Sequence, residues 1–227
     1  MLSLSHAVAS DIAEAREIQE SLRKKIRIAH LRKTPRFVAG VDAAFTEDMV
    51  IGVACLYQYP EMIHLENAHA VAEISFPYVP GFLTFREGPA IITALSRLTK
   101  KPDLILVDGQ GIAHPKGIGI ASHLGVLLKM PTIGCAKSRL IGEYTEPGKN
   151  RGEWSPLRYN GKIVGSVLRT RDNTRALFVS PGHKINIEEC REIVLNCATG
   201  YRIPEPLRRA DRISRALKRK FSEMESL

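Results

Sequence analysis

Apolar residues recur at Ile12, Ala15, Ile18, Leu22 and Ile26, the spacing of one helical face, with Ser10 placed to cap its start. A basic stretch from Arg23 to Lys33 closes this segment, and the period then changes. Phe37 to Phe45, Val50 to Tyr59 and Ile63 to Ile74 are rich in β-branched and aromatic residues, and their short polar or proline-containing connections predict an antiparallel meander. After the turn Pro77-Tyr78-Val79-Pro80-Gly81, the positions Phe85, Ala90, Ile91, Leu95 and Leu98 restore a helical stripe that stops before Pro102. Leu104 to Val107 is a short, wholly apolar strand. A glycine-rich loop, a helix from Ile120 to Lys129 and a strand from Thr132 to Cys135 complete two β/α units of the parallel kind. Strands near Lys162 to Arg169 and Ala176 to Val179 follow, then helices near Ile187 to Ala198 and Leu207 to Lys220.

Three antiparallel strands followed by alternating helices and strands predict an α/β fold with a mixed sheet flanked by helices, an order similar to the ribonuclease H-like fold. No repeat or long linker divides residues 1–227, so one domain is expected. The formal charge of +9 and pI near 9.5 favour a polyanionic partner, either nucleic acid or an anionic membrane surface. No apolar run reaches the roughly 18 residues of a membrane span, and the N-terminus lacks a signal-peptide layout, so a cytoplasmic protein is expected. Cys55, Cys135, Cys190 and Cys197 are widely spaced without a C-x-x-C pair, which predicts buried free thiols.

Asp42 lies within Phe37-Val38-Ala39-Gly40-Val41-Asp42-Ala43-Ala44-Phe45, a run apolar enough for a central strand, where an uncompensated charge is costly. A paired Asp at a bulge would also satisfy it. Asp108 ends the second apolar strand, where α/β sheets open a crevice, although Asp-Gly is equally a common turn dipeptide. Thr84-Phe85-Arg86-Glu87 reads on its own as a capping box, with Arg86 solvated or touching phosphate. The expected sheet order sets Asp42 against Asp108 with Glu87 overhead. Carboxylates so gathered repel each other, and a hard divalent cation relieves this. All-oxygen ligands point to Mg²⁺, with Mn²⁺ as a substitute, and to metal-assisted phosphodiester hydrolysis.

The chain closely resembles the endonuclease V family. The likeness runs through Phe76-Pro77-Tyr78-Val79-Pro80-Gly81-Phe82-Leu83 with Phe85-Arg86-Glu87, and Val107-Asp108-Gly109-Gln110-Gly111 with His114-Pro115. It continues through Gly119-Ile120-Ala121-Ser122-His123, Pro131-Thr132-Ile133-Gly134 with Ala136-Lys137, Ser180-Pro181-Gly182-His183 and Arg202-Ile203-Pro204-Glu205-Pro206. The resemblance implies that Asp42 and Asp108 hold the metal, with Glu87 acting through water, and that Lys137 stands near the scissile phosphate. It implies that Pro77, Tyr78, Val79 and Pro80 form a wedge entering the duplex, and that Gly81, Leu83, Gly109, Gly111, His114 and Gly119 surround an extruded hypoxanthine. Asp211 falls where some relatives carry histidine: it could hold a metal-bound water, or simply pair with neighbouring arginines.

The implied function is DNA repair: recognition of deoxyinosine and hydrolysis of the second phosphodiester bond on its 3′ side, leaving a 3′-hydroxyl and a 5′-phosphate. The expected enzyme is a monomer without organic cofactor or membrane partner. Alternatives are an inosine-specific ribonuclease, another ribonuclease H-like nuclease, and a non-catalytic nucleic-acid binder, against which Asp42, Glu87, Asp108 and Lys137 argue. The last helix sets Ala210, Ile213 and Leu217 on one side and Arg208, Arg212, Arg215 and Arg219 elsewhere, either a solvated face or a backbone-phosphate contact.

Overall fold

A computed structural model describes residues 8–225. Its centre is an eight-stranded mixed sheet ordered β3-β2-β1-β4-β5-β8-β7-β6. The meander consists of β1 (Phe37–Phe45), β2 (Met49–Gln58) and β3 (Ile63–Glu73). The parallel centre is β1 beside β4 (Leu104–Val107) beside β5 (Thr132–Ala136). Beyond it β8 (Leu177–His183), β7 (Lys162–Leu168) and β6 (Trp154–Tyr159) run antiparallel. The sequence reading lacks β6, whose Trp-Ser-Pro-Leu-Arg-Tyr carries a proline; the strand lies at the sheet edge, where a missing amide donor is tolerated.

The central strands are apolar on both faces because helices cover both. On one face α2 (Leu83–Ser96) and α3 (Ile120–Leu128) pack Ile91, Leu95 and Leu124 on Ala39, Val41, Ile105 and Val107. On the other, α4 (Ile187–Cys197) and α5 (Glu205–Glu225) cover Val38, Leu104 and Leu106 and the alternate residues of β2. In α5, Ala210, Ile213 and Leu217 take the inner side as the spacing predicts. Gly40 makes its seat, since a Cβ there would collide with the backbone of Pro206 and Leu207. All four cysteines are buried free thiols. No helix among the described residues is long and apolar enough to cross a membrane.

Two helix starts differ from expectation. α1 (Ile12–Arg23) is capped by Asp11, whose side chain accepts from the Glu14 amide at 2.8 Å, while Ser10 donates to the Glu14 carboxylate. α2 begins one residue before Thr84, and no side chain caps it. The capping-box reading of Thr84 and Glu87 therefore fails, and Glu87 is released from that role.

Candidate functional site

Parallel pairing of Val41 with Val107 brings Asp42 and Asp108 level at neighbouring positions. α5 crosses the same face, and its Asp211 completes a group: one oxygen from each of Asp42, Asp108 and Asp211 lies within 4.8 Å of the others. Lys137, just past β5, donates to Asp108 at 2.5 Å and stands 3.6 Å from Asp211. Asp211 also pairs with Arg215 at 2.8 Å, so the arginine pair and the cluster coexist. Glu87 approaches from α2. It lies outside the group of three yet feels the charge of Asp42 and Asp108.

The electrostatics of this group are compatible with a bound cation. Burial raises Asp42 to about 6, a hydrogen bond from Ser214 works against it, and Asp108 and Asp211 push the same way as burial. Burial, then the charges of Asp42 and Asp108, raise Glu87 to about 8. Burial pulls the Lys137 ammonium down, but hydrogen bonding to Asp108 and the three aspartates outweigh it and hold it above its ordinary value. Lys137 and Arg215 against three aspartates leave net negative charge among oxygen donors with no imidazole or thiolate in the group, a donor set that suits a hard divalent cation.

Beside this group a cleft of about 510 Å³ is lined by Asp108 and Lys137, by Tyr78, Val79, Pro80, Gly81 and Leu83, and by Gly109, His114 and Gly119. Gly111 does not line it. Its amide donates to Ser180 Oγ at 2.8 Å, and a Cβ there would strike the Pro181 carbonyl, so this glycine serves backbone packing behind the wall. Gly119 is similarly pressed against the Gln110 carbonyl, but on the cleft side.

The segment at residues 77–80 stands out from the surface on a fixed base. Phe76 is buried against Phe82 and Phe85, with ring centroids 6.5 and 5.5 Å away. The Gln19 side chain donates to the Gly81 carbonyl at 2.9 Å, and Gly81 holds a left-handed φ of 89° that closes the turn. Above this base Tyr78 is 72% exposed. Arg86 is anchored within the fold: it donates to the Phe76 carbonyl at 3.2 Å and stacks over Phe45.

His114 is buried, and burial, then the Lys116 charge, lowers it to about 4, leaving a neutral ring at pH 7. The Lys116 amide donates to its Nδ1 at 3.2 Å, so Nε2 carries the proton.

Sequence reasoning missed two positioning residues. Ser214, fully buried on α5, donates to Asp42 Oδ2 at 2.6 Å. Arg202 donates to the carbonyls of Lys137 and Ala176 at 3.0 Å each and fixes the backbone that presents Lys137. Arg202 sits in a family-like motif that carries no role by itself. Ser214 carries a signal in the sequence: it falls four residues after Ala210 and three before Leu217, on the inner stripe of the last helix, where a serine needs a buried partner.

A ribonuclease H-like sheet that gathers carboxylates beside its central parallel strands defines the class as a nuclease. The family model of endonuclease V matches residues 20–212. An endonuclease V of Geotalea uraniireducens is 49% identical over 214 residues, covering 94% of this chain and 92% of its own. The crystal structure of endonuclease V from Streptomyces avermitilis superposes with a TM-score of 0.90 at 39% identity, over 94% of this chain and 96% of that one. Endonuclease V of Ciona intestinalis, solved with a 24mer DNA containing an inosine followed by a ribo-adenosine, gives 0.82 at 31% identity, over 92% and 98%. The chain belongs to the endonuclease V family and is an endonuclease of DNA repair.

Proposed function

We propose that this single-domain enzyme recognises deoxyinosine in DNA and hydrolyses the second phosphodiester bond 3′ to it, leaving a 3′-hydroxyl and a 5′-phosphate, with Mg²⁺ or Mn²⁺ as cofactor. The observation that carries this reading is that Asp108, grouped with Asp42 and Asp211, lines the same cleft as Tyr78 and His114. Asp42, Asp108 and Asp211 would hold the cation, with Glu87 meeting its water shell. When bound, the cation lowers the pKa of a water and stabilises charge on the departing oxygen.

The chain's own groups do the rest. Lys137 neutralises charge developing on phosphate oxygens, and its carboxylate partners keep it protonated. Tyr78, stiffened by Pro77 and Pro80, stacks in the gap left by an extruded nucleotide. In the cleft, neutral His114 with its proton on Nε2 is a donor suited to the 6-oxo group of hypoxanthine, where adenine offers an amino group instead. Gly109 and Gly119 let backbone approach the base edge.

The test is an end-labelled duplex with one deoxyinosine, incubated with Mg²⁺ or a chelator and mapped on a gel. A cut one bond beyond the nearest 3′ linkage, lost with chelator and lost in Asp42→Ala while duplex binding persists, is expected; normal cutting by Asp42→Ala overturns the assignment. A second reading, cleavage of inosine in RNA, is favoured by the ribo-adenosine after inosine in the Ciona complex. Matched DNA and RNA oligonucleotides separate the two. The folded chain is read as a soluble cytoplasmic monomer.

A further inference from the structure

At the end of the sheet where β4 and β5 begin, opposite the carboxylates, a second cavity of about 300 Å³ opens beneath the segment joining α1 to β1. The β4 strand between Asp103 and Asp108, roughly 16 Å of extended chain, separates the two sites. Arg27, Arg32, Lys33, Lys129 and Lys184 line the cavity, against Asp103 as the acid among its walls. Lys33 is engaged with Asp103 at 2.7 Å, and the Lys184 ammonium donates to the Lys129 carbonyl at 2.7 Å. The side chains of Arg27, Arg32 and Lys129 have no hydrogen bond or ion pair among the described residues.

Three unpaired cations on a convex surface are simply solvated. Here the three, though exposed, line one concavity walled by Leu31, Pro35 and Pro131, so their like charges add into a positive potential at its mouth. The backbone adds a second observation. Lys129 and Lys184 hold left-handed φ values of 55° and 51°, and Lys129 is the C-cap of α3, where glycine or asparagine is favoured. Both positions carry a long cation in a conformation that disfavours any side chain, and both line the cavity.

We propose that this cavity is a second ligand site, taking the phosphate of a nucleotide between Arg27, Arg32 and Lys129, with Leu31 and Pro131 against its sugar or base. The volume stands at the lower end of small-ligand clefts, room for one nucleotide and not for a duplex. The phosphate can come from a free nucleotide or from the terminal nucleotide of a strand. The site lies across the sheet from the cleavage cleft and does not depend on the reading of that cleft.

The test uses the full chain in low salt with a chelator, so that no cation bridges phosphate to the aspartates. Titration calorimetry compares AMP, adenosine and a single-stranded tetranucleotide with a 5′-phosphate. AMP should bind and adenosine should not. The pair Arg27→Ala with Lys129→Ala should weaken AMP about tenfold or more, with melting temperature and cutting of deoxyinosine duplex unchanged. If that double variant melts early, Arg32→Ala alone carries the same comparison. Tighter binding of the tetranucleotide than of AMP, with that advantage lost in the double variant, assigns a strand end; equal or weaker binding, or an advantage the variant keeps, assigns a free nucleotide. No AMP binding at millimolar concentration, adenosine binding as well as AMP, or unchanged AMP affinity in the variants overturns the proposal.

Discussion

Ser214 Oγ donates to Asp42 Oδ2 at 2.6 Å, tying the last helix to the first strand at the carboxylate cluster. The same hydroxyl lies 3.0 Å from the Asp211 carbonyl, and with one proton it can serve one of these acceptors at a time. Holding Oδ2 fixes the orientation of the Asp42 carboxylate beside Asp108 and Asp211. Ser214→Ala should therefore weaken divalent-cation affinity by about 10- to 100-fold, the usual cost of losing a partner behind a ligand. Mn²⁺ titration of the purified variant checks this directly; wild-type affinity in Ser214→Ala would leave Asp42 oriented by other means.

Asp42 and Glu87 make stability depend on pH with a definite sign. Their folded pKa values of about 6 and about 8 lie above ordinary carboxylate values, so the folded state holds protons that the unfolded chain has released. Stability then falls as pH rises through that window. Without metal, the melting temperature should drop between about pH 5 and pH 8, and saturating Mg²⁺ should recover most of the loss at the upper end. Glu87→Gln should flatten the curve above about pH 6. Thermal melts in chelator across this range decide it, and a flat wild-type profile would refute the coupling.

Tyr78 can be removed without disturbing the fold, because it is largely exposed and the ring cluster below it is untouched. Tyr78→Ala should change stability by less than about 0.5 kcal/mol. It should slow cutting of a deoxyinosine duplex more than cutting of the same site in single-stranded DNA, where no stack needs filling. Equal loss on both substrates would remove the wedge role.

Gly40→Ala is the opposite case. Its Cβ would land on the Pro206 and Leu207 backbone, which cannot yield as a flexible side chain does. The expected loss is about 3 kcal/mol, the upper range for overpacking, and roughly 6–12 °C in melting temperature. Calorimetric melts of the variant measure it. A neutral result would mean that α5 can slide on β1.

Much of this was legible in the chain, and the failures have physical reasons. Hydrophobic period located the meander and both β/α units because their strands are either apolar throughout or bounded by strong turn residues. Asp42 and Asp108 stood out because carboxylates at the ends or centres of apolar runs need compensation. β6 was hidden by Pro156, which an edge strand accommodates. Taken alone, Thr84-x-x-Glu87 satisfies a local capping pattern, but tertiary packing starts the helix earlier, and the placement of Glu87 beside Asp42 and Asp108 came from the three carboxylates together. Asp211 and Ser214 act through α5 crossing a strand far away in sequence, a relation that no local pattern encodes. Gly111 followed its neighbours into the cleft by resemblance, whereas its contacts are with Ser180 and Pro181.

The seating of α5 on Gly40 has a bearing on when the enzyme becomes dangerous to its own cell. Two of the three clustered aspartates arise in the first half of the chain, but the third arrives on a helix near its far end. Under the cation site proposed above, a polypeptide still being synthesised would carry an incomplete carboxylate cluster, and strand-cutting capacity would appear only once that helix had docked, coupling nuclease activity to completed folding.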